Sequence, residues 1–105
     1  QVFVNLIINA IHAMSQKGRL TITARQSADG GGKKFIQLSF EDTGHGIPAD
    51  KIKNVFDPFY TTKAIGSTGL GLSISKGIID MHGGIIYAES SEEQGAKFII
   101  QLPIT

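Results

Sequence analysis

The sequence contains no cysteine, which removes both a disulfide framework and a thiolate metal site and fits a reducing, cytoplasmic setting. No apolar run approaches the roughly 18–20 residues of a membrane span, and the N-terminus lacks the basic, apolar and small-residue segments of a signal peptide. A soluble protein is expected. The formal net charge of +1 is spread over dispersed residues, too weak a footprint for nucleic acid or an anionic membrane to be the main partner. There is no internal repeat or low-complexity tract, no His, Asp or Glu cluster with metal-ligand spacing, and no legible Ser-His-Asp arrangement. The 105 residues make one domain, 1–105, with room for a single core. Gln1 opens onto helical periodicity with no capping residue ahead of it, so the chain is expected to be part of a longer protein.

What is present is organised around DTGHGIP, Asp42 to Pro48. The alternation of Ile36, Leu38 and Phe40 reads as a strand that delivers Asp42 to the mouth of a pocket. Gly44 and Gly46 follow, where the absence of a Cβ lets the backbone lie against a flat ligand. A tight turn after a strand is the plain alternative. Upstream, Gln1 to Gln16 reads as a helix that is apolar or small almost throughout. Positions 1, 5, 9, 12 and 16 fall in one polar stripe roughly 80° wide at about 100° per residue. An ordinary solvated face would carry Lys and Glu. Two amides one turn apart, Asn5 and Asn9, instead suggest oxygens facing a ligand or a hydrated metal, since Asn is a poor helix former.

Arg19 to Gln26 alternates as a half-buried strand, and Asp29 to Lys34 is a glycine-rich hairpin tip. Beyond Pro48, Ala49 to Val55 is expected to form a short helix. The segment from Asp57 to Gly69 combines proline, glycines and small polar residues and reads as a lid. A helix then carries Leu70, Ile74, Ile78 and Met81 on one face and ends at His82-Gly83-Gly84. A glycine-rich loop feeding a helix N-terminus is an anion site, because unpaired amides and the helix dipole both face the loop. The last stretch reads as a hairpin, Ile85 to Glu89 and Gly95 to Leu102. Four strands with two substantial helices argue an α+β fold, a two-layer α/β sandwich with a mixed sheet covered on one face by helices. Three common phosphate motifs fail: the spacing Gly66 to Gly71 leads to Leu72 where a Walker A loop needs Lys, the dinucleotide fingerprint lacks its third glycine, and no protein-kinase catalytic loop is present.

Four stretches together resemble, in order and spacing, the nucleotide-binding boxes of the ATP-binding domain of sensor histidine kinases, a Bergerat-fold family of the GHKL group. NLIINAIHAM resembles the N box, DTGHGIP the G1 box, FDPFYTTK the F box and GSTGLGLSIS the G2 box, and Gly95-Ala96-Lys97-Phe98 is similar to the family's closing glycine strand. The FYTTK and TGLGLSIS variants look closest to the nitrogen-regulation and transport-sensor branch. The family's fold would add a strand and a helix before Gln1.

The resemblance implies ATP and Mg2+ as cofactors. Asn9 would be the magnesium ligand, an oxygen donor suited to a hard cation that keeps several waters, with Asn5 on the same wall. Asp42 would accept from the adenine amino group, with Gly44, Gly46 and Ile47 along the base. Thr68, Gly69, Leu70, Gly71 and Leu72 would form the phosphate loop, Lys63 would meet phosphate charge, and His12 is a further phosphate contact where relatives often hold Lys. His45 is expected to be an exposed loop residue, and His82 to serve its helix's end. Phe56, Phe59 and Tyr60 are expected to anchor the lid or to form a docking surface.

In hydrolase relatives of this fold a glutamate one turn before the magnesium asparagine is the general base. Here that position is Asn5, and an amide cannot take a proton near neutral pH. The implied function is to present the γ-phosphate of MgATP to a histidine on a separate dimerisation domain, with onward transfer to the receiver domain of a response regulator. The chain itself is expected to be monomeric and the full-length protein a homodimer. The alternatives are a nucleotide-dependent binding module without chemistry and another ATPase or serine kinase of the same fold.

Overall fold

The computed structural model describes residues 2–14, 17–47, 50, 52–57, 71–91 and 95–104, and among them two helices and two pairs of strands stand out. In chain order these are α1 (Val2–Met14), β1 (Leu20–Ala28), β2 (Lys34–Asp42), a 3-10 turn (Ile52–Asn54), α2 (Gly71–Met81), β3 (Ile85–Ser91) and β4 (Gly95–Pro103). The sheet order is β1-β2-β4-β3, and all three pairings are antiparallel. These strands thus supply the antiparallel part of the expected mixed sheet. The β2–β4 pairing joins the two hairpins, which places the end of β2 beside the start of β4: Phe40 faces Phe98 and Glu41 faces Lys97.

One face of the sheet packs under the helices. Phe40, Ile86, Ala96, Phe98 and Ile100 from the strands meet Val2 and Leu6 of α1 and Ile79 of α2 in a single cluster that Ile47 and Val55 complete. Ile100, at its centre, is fully buried. Removing such a side chain from water is worth about 1.5–3 kcal/mol. The other face carries a groove lined by Thr23, Arg25, Gln37, Ser39, Glu41 and Lys97 toward β1, and the apolar side chains of Ile85, Tyr87 and Ile99 toward β3. The two-layer α/β architecture expected from the sequence is therefore present.

Local chemistry explains the ends. The β1–β2 hairpin is closed by Asp29, whose Oδ1 accepts from the backbone of Gly31 at 2.8 Å and Lys33 at 3.0 Å. Helix α2 ends in a pair of bonds from Gly83 N to the Asp80 carbonyl and from Gly84 N to the Ile79 carbonyl, both at 3.0 Å. The imidazole of His82 donates from Nδ1 to the Ile78 carbonyl at 2.8 Å, so it serves the helix end as expected.

The structure corrects three expectations. On α2 the stripe Leu70, Ile74, Ile78 and Met81 is not the buried face: Ile74 is 47% and Met81 85% exposed, whereas Ser75 and Ile79 are buried. Leu70 lies outside the described residues. Strand β1 is not half-buried. It is the sheet edge, exposed along most of its length, and even Ile22, on the helix side, is 51% exposed because neither helix reaches over it. Of the helix expected over 49–55, the described residues hold only the 3-10 turn Ile52–Asn54; positions 48, 49 and 51 lie outside them.

Candidate functional site

The polar stripe of α1 is not its solvated face. The helix buries Val2, Leu6 and Ala10, spaced four residues apart, and leaves Phe3, Val4, Ile8 and Ile11 exposed, while Asn5, Asn9 and His12 are half-buried. Asn5 Nδ2 donates to Ser75 Oγ of α2 at 3.1 Å, and Ser75 is fully buried. Ala13, eight residues beyond Asn5, meets the glycine turn after β2. His45 N donates to the Ala13 carbonyl at 3.2 Å, and a Cβ added at Gly44 would stand 2.5 Å from that oxygen and 2.8 Å from the Ala13 Cβ. Residues four apart share a helix face, so Asn5, Asn9 and Ala13 form one row. It starts on α2, ends on the Asp42 turn, and has Asn9 between the two. Gly44 is thus required by contact with a helix.

Asp42 is 5% exposed. Its Oδ1 accepts from Gly44 N at 2.8 Å and from Ala96 N at 3.2 Å, and among the described residues no donor meets Oδ2. A buried carboxylate with one oxygen held by two backbone amides and the other open fits an amino donor, which is the group by which adenine differs from guanine at that edge. Residue 95 makes the second amide reachable. A Cβ there would lie 2.1 Å from the Asp42 carbonyl oxygen, and the backbone takes φ 86°, so only glycine lets β4 begin so close to the end of β2. On the far side of the turn, Ile47 N donates to Ser90 Oγ at 2.6 Å, and Ser90 donates to the Gly95 carbonyl at 2.9 Å. Thr43 Oγ1 accepts from Arg19 N at 2.9 Å.

The structure brings Asp42, Gly44, Gly46 and Ile47 into one turn and sets the Asn5-Asn9 row of α1 beside it, with His12 on the same helix. The Ile47 side chain belongs to the apolar core. Gly71 opens α2, and Leu72 packs against the core from that helix. Lys63, Thr68, Gly69 and Leu70 lie outside the described residues, as does the expected lid apart from Asp57. Phe56 stacks edge-on against Phe98, ring centroids 6.1 Å apart, which anchors the chain just ahead of the segment expected to be a lid; Phe59 and Tyr60 lie outside the described residues. His45 is exposed, as expected, with its ring turned to the Gly46 carbonyl at 2.7 Å. In the sequence Ser75 ends GSTGLGLSIS and Ser90 reads as a turn residue after Glu89, with no role for either side chain, whereas β3 runs on to Ser91. Serine is common both inside helices and beside turns, so neither position carries a signal; the alternation of β3 extended past Glu89 would have kept Ser90 in the strand.

The Asn5–Ser75 bond is testable by itself. In a double-mutant cycle of Asn5→Ala and Ser75→Ala, urea unfolding is expected to give a coupling of about 1 kcal/mol. Additive effects would show that the two side chains do not support one another.

A two-layer sandwich with a buried carboxylate at a glycine turn, beside an asparagine row on the first helix, defines a Bergerat-type nucleotide-binding domain. The chain belongs to the family described as histidine kinase-, DNA gyrase B- and HSP90-like ATPases, whose model matches residues 1–105. Its relatives are sensor kinases. It is 43% identical to the sensor histidine kinase ZraS of Escherichia coli O157:H7 over 99% of this chain and 21% of ZraS. It is 46% identical to the sensor protein FixL of Bradyrhizobium diazoefficiens over 98% of this chain and 20% of FixL. Among solved structures, the nucleotide-free catalytic domain of the histidine kinase ThkA superposes with a TM-score of 0.82 at 38% identity, covering 98% of this chain and 64% of that one. The mycobacterial sensor histidine kinase MprB gives a TM-score of 0.84 at 27% identity, covering 97% of this chain and 69% of that one. The chain thus spans about a fifth of the length of the curated relatives it matches. Among the described residues, no helix is long and apolar enough to cross a membrane.

Proposed function

We propose that the chain is the MgATP-binding catalytic domain of a cytoplasmic two-component sensor histidine kinase, acting on a histidine of the dimerisation domain of the same protein. The receiver domain of a response regulator would take the phosphoryl group onward, and the full-length kinase would be a homodimer around monomeric catalytic domains. The FYTTK and TGLGLSIS variants are the support for the nitrogen-regulation and transport-sensor branch. ZraS, FixL, AtoS and CckA all stand among the relatives and do not distinguish it.

Bound ATP would supply the phosphoryl group and Mg2+ the charge that bridges its phosphates. Asp42 would hold the adenine amino group, with Gly44, Gly46 and Ile47 forming the wall beside the base. Asn9 would offer its side-chain oxygen to the metal. Backbone amides of Gly69 and Gly71, with Thr68, Leu70 and Leu72, would form the phosphate loop, and the Lys63 and His12 side chains would meet phosphate charge. Residues 57–69 would serve as the lid.

The observation that carries a kinase rather than a hydrolase is Asn5. A hydrolase needs a base that activates water one turn ahead of the metal ligand. Here that position holds an amide bonded to Ser75, which can neither take a proton nor swing freely toward water. The chain alone is therefore expected to bind MgATP without phosphorylating itself and with no more than trace hydrolysis, and a separately supplied histidine-bearing dimerisation domain is expected to restore transfer. Radiolabelled phosphate on that domain is the readout. Rapid phosphate release by the chain alone would identify a hydrolase, and binding with silence in both assays would identify a module that docks without chemistry.

A further inference from the structure

We infer that Ser90 is a positioning residue for the adenine pocket, a clamp that sets the shape of the glycine turn against Asp42. This rests on the nucleotide-binding reading above. The Ser90 hydroxyl has one proton and is used on both sides: Oγ accepts from Ile47 N at 2.6 Å and donates to the Gly95 carbonyl at 2.9 Å. One side chain thus ties the far end of the turn to the first residue of β4. The near end is tied by Asp42, whose Oδ1 binds Gly44 N, inside the turn, and Ala96 N, the second residue of β4. Ser90 and Ala96 face each other across the β3–β4 pairing.

The result is a closed circuit in which Asp42 and Ser90 each hold one end of the Gly44–Ile47 segment to the same strand start. No bond of Ser90 needs a ligand, so the circuit stands before nucleotide arrives. Its consequence for recognition lies in Oδ2 of Asp42. The discriminating oxygen can face the base only while Oδ1 keeps both amides, and Oδ1 keeps Ala96 N only while β4 begins where Ser90 fixes Gly95. Alanine at position 90 strands the Ile47 amide in a nearly buried position, and the amide then leaves to find water, carrying the turn with it.

The test is calorimetric titration of this chain with MgATP and with MgGTP, alongside thermal unfolding. Ser90→Ala is expected to weaken MgATP binding by about tenfold and to narrow the ATP-to-GTP affinity ratio. Ser90→Thr, which keeps the hydroxyl, is expected to restore most of both. A purely structural serine would lower the melting temperature without moving the ratio, and that outcome would overturn the inference. In the ligand-free chain, amide exchange at Ile47 is expected to speed up in Ser90→Ala and not in Ser90→Thr; unchanged exchange would also overturn it. If the unmodified chain bound neither nucleotide, the nucleotide-binding reading itself would fail, an outcome separate from the other two.

Discussion

Gly95→Ala is expected to destabilise the chain by more than about 3 kcal/mol, a large part of the 5–15 kcal/mol that holds a domain of this size together. Two effects combine. The backbone at this position takes φ 86°, which costs an L residue about 1–2 kcal/mol. The added Cβ would also fall 2.1 Å from the Asp42 carbonyl oxygen, 2.9 Å from its carbonyl carbon and 3.1 Å from Gly44 N. All three atoms are backbone, so no side chain can turn away to make room, and the first residues of β4 must retreat from β2. That retreat removes Ala96 N from Asp42. Urea unfolding would show the loss as a lower midpoint, with nucleotide affinity falling alongside. Gly30→Ala is the control, since an added Cβ there meets nothing within 4 Å, and its midpoint is expected to stay or rise slightly. Equal midpoints for the two variants would show that β4 can shift at little cost.

The second large effect is at Asp42, where two substitutions separate folding from recognition. Asp42→Ala strands the amides of Gly44 and Ala96, and unpaired buried donors cost about 1–3 kcal/mol each, so both stability and nucleotide binding should fall. Asp42→Asn keeps an oxygen for those two amides and replaces Oδ2 with an NH2 group. Stability should then drop by only about 1 kcal/mol, the difference between a charged and a neutral acceptor. An NH2 group cannot accept from the adenine amino group and instead opposes it. MgATP affinity is expected to fall by about a hundredfold, the order that leaving a buried polar group without its partner costs. Calorimetry beside unfolding reads both quantities. An Asp42→Asn variant that bound MgATP as tightly as the unmodified chain would remove Asp42 from base recognition.

At β2, its glycine turn and the end of α2 the structure follows the local rules of the sequence. Alternation marked β2 and its delivery of Asp42, the glycines after it marked the turn, and the apolar run into His82-Gly83-Gly84 marked α2 and its end. The faces were harder to read. In α2 two stripes are apolar enough to be inward, and the one that is buried contains Ser75, a residue that reads as solvent-facing until Asn5 is placed opposite it. In α1 the polar stripe turned out to be half-buried and much of the apolar surface exposed, because the choice of face is made by the sheet and α2, whose position no local pattern encodes. The glycine at 95 was legible as a motif, but its reason, contact with a carbonyl 53 positions earlier, exists only after β4 pairs with β2.

That pairing has a consequence for the order in which the protein becomes functional during synthesis. The β1–β2 hairpin is local, closed by Asp29 over a handful of residues, and can form as soon as it leaves the ribosome. Asp42 emerges with it, but the Ala96 amide that fixes it lies 54 residues further along. At roughly 5–20 residues per second the carboxylate is exposed for several seconds before its partner strand is made. Through that interval the nascent chain carries an acid and a glycine turn without a pocket. On the proposed reading of Asp42 as the residue that holds the base, nucleotide acts only on a chain whose β4 has already been translated.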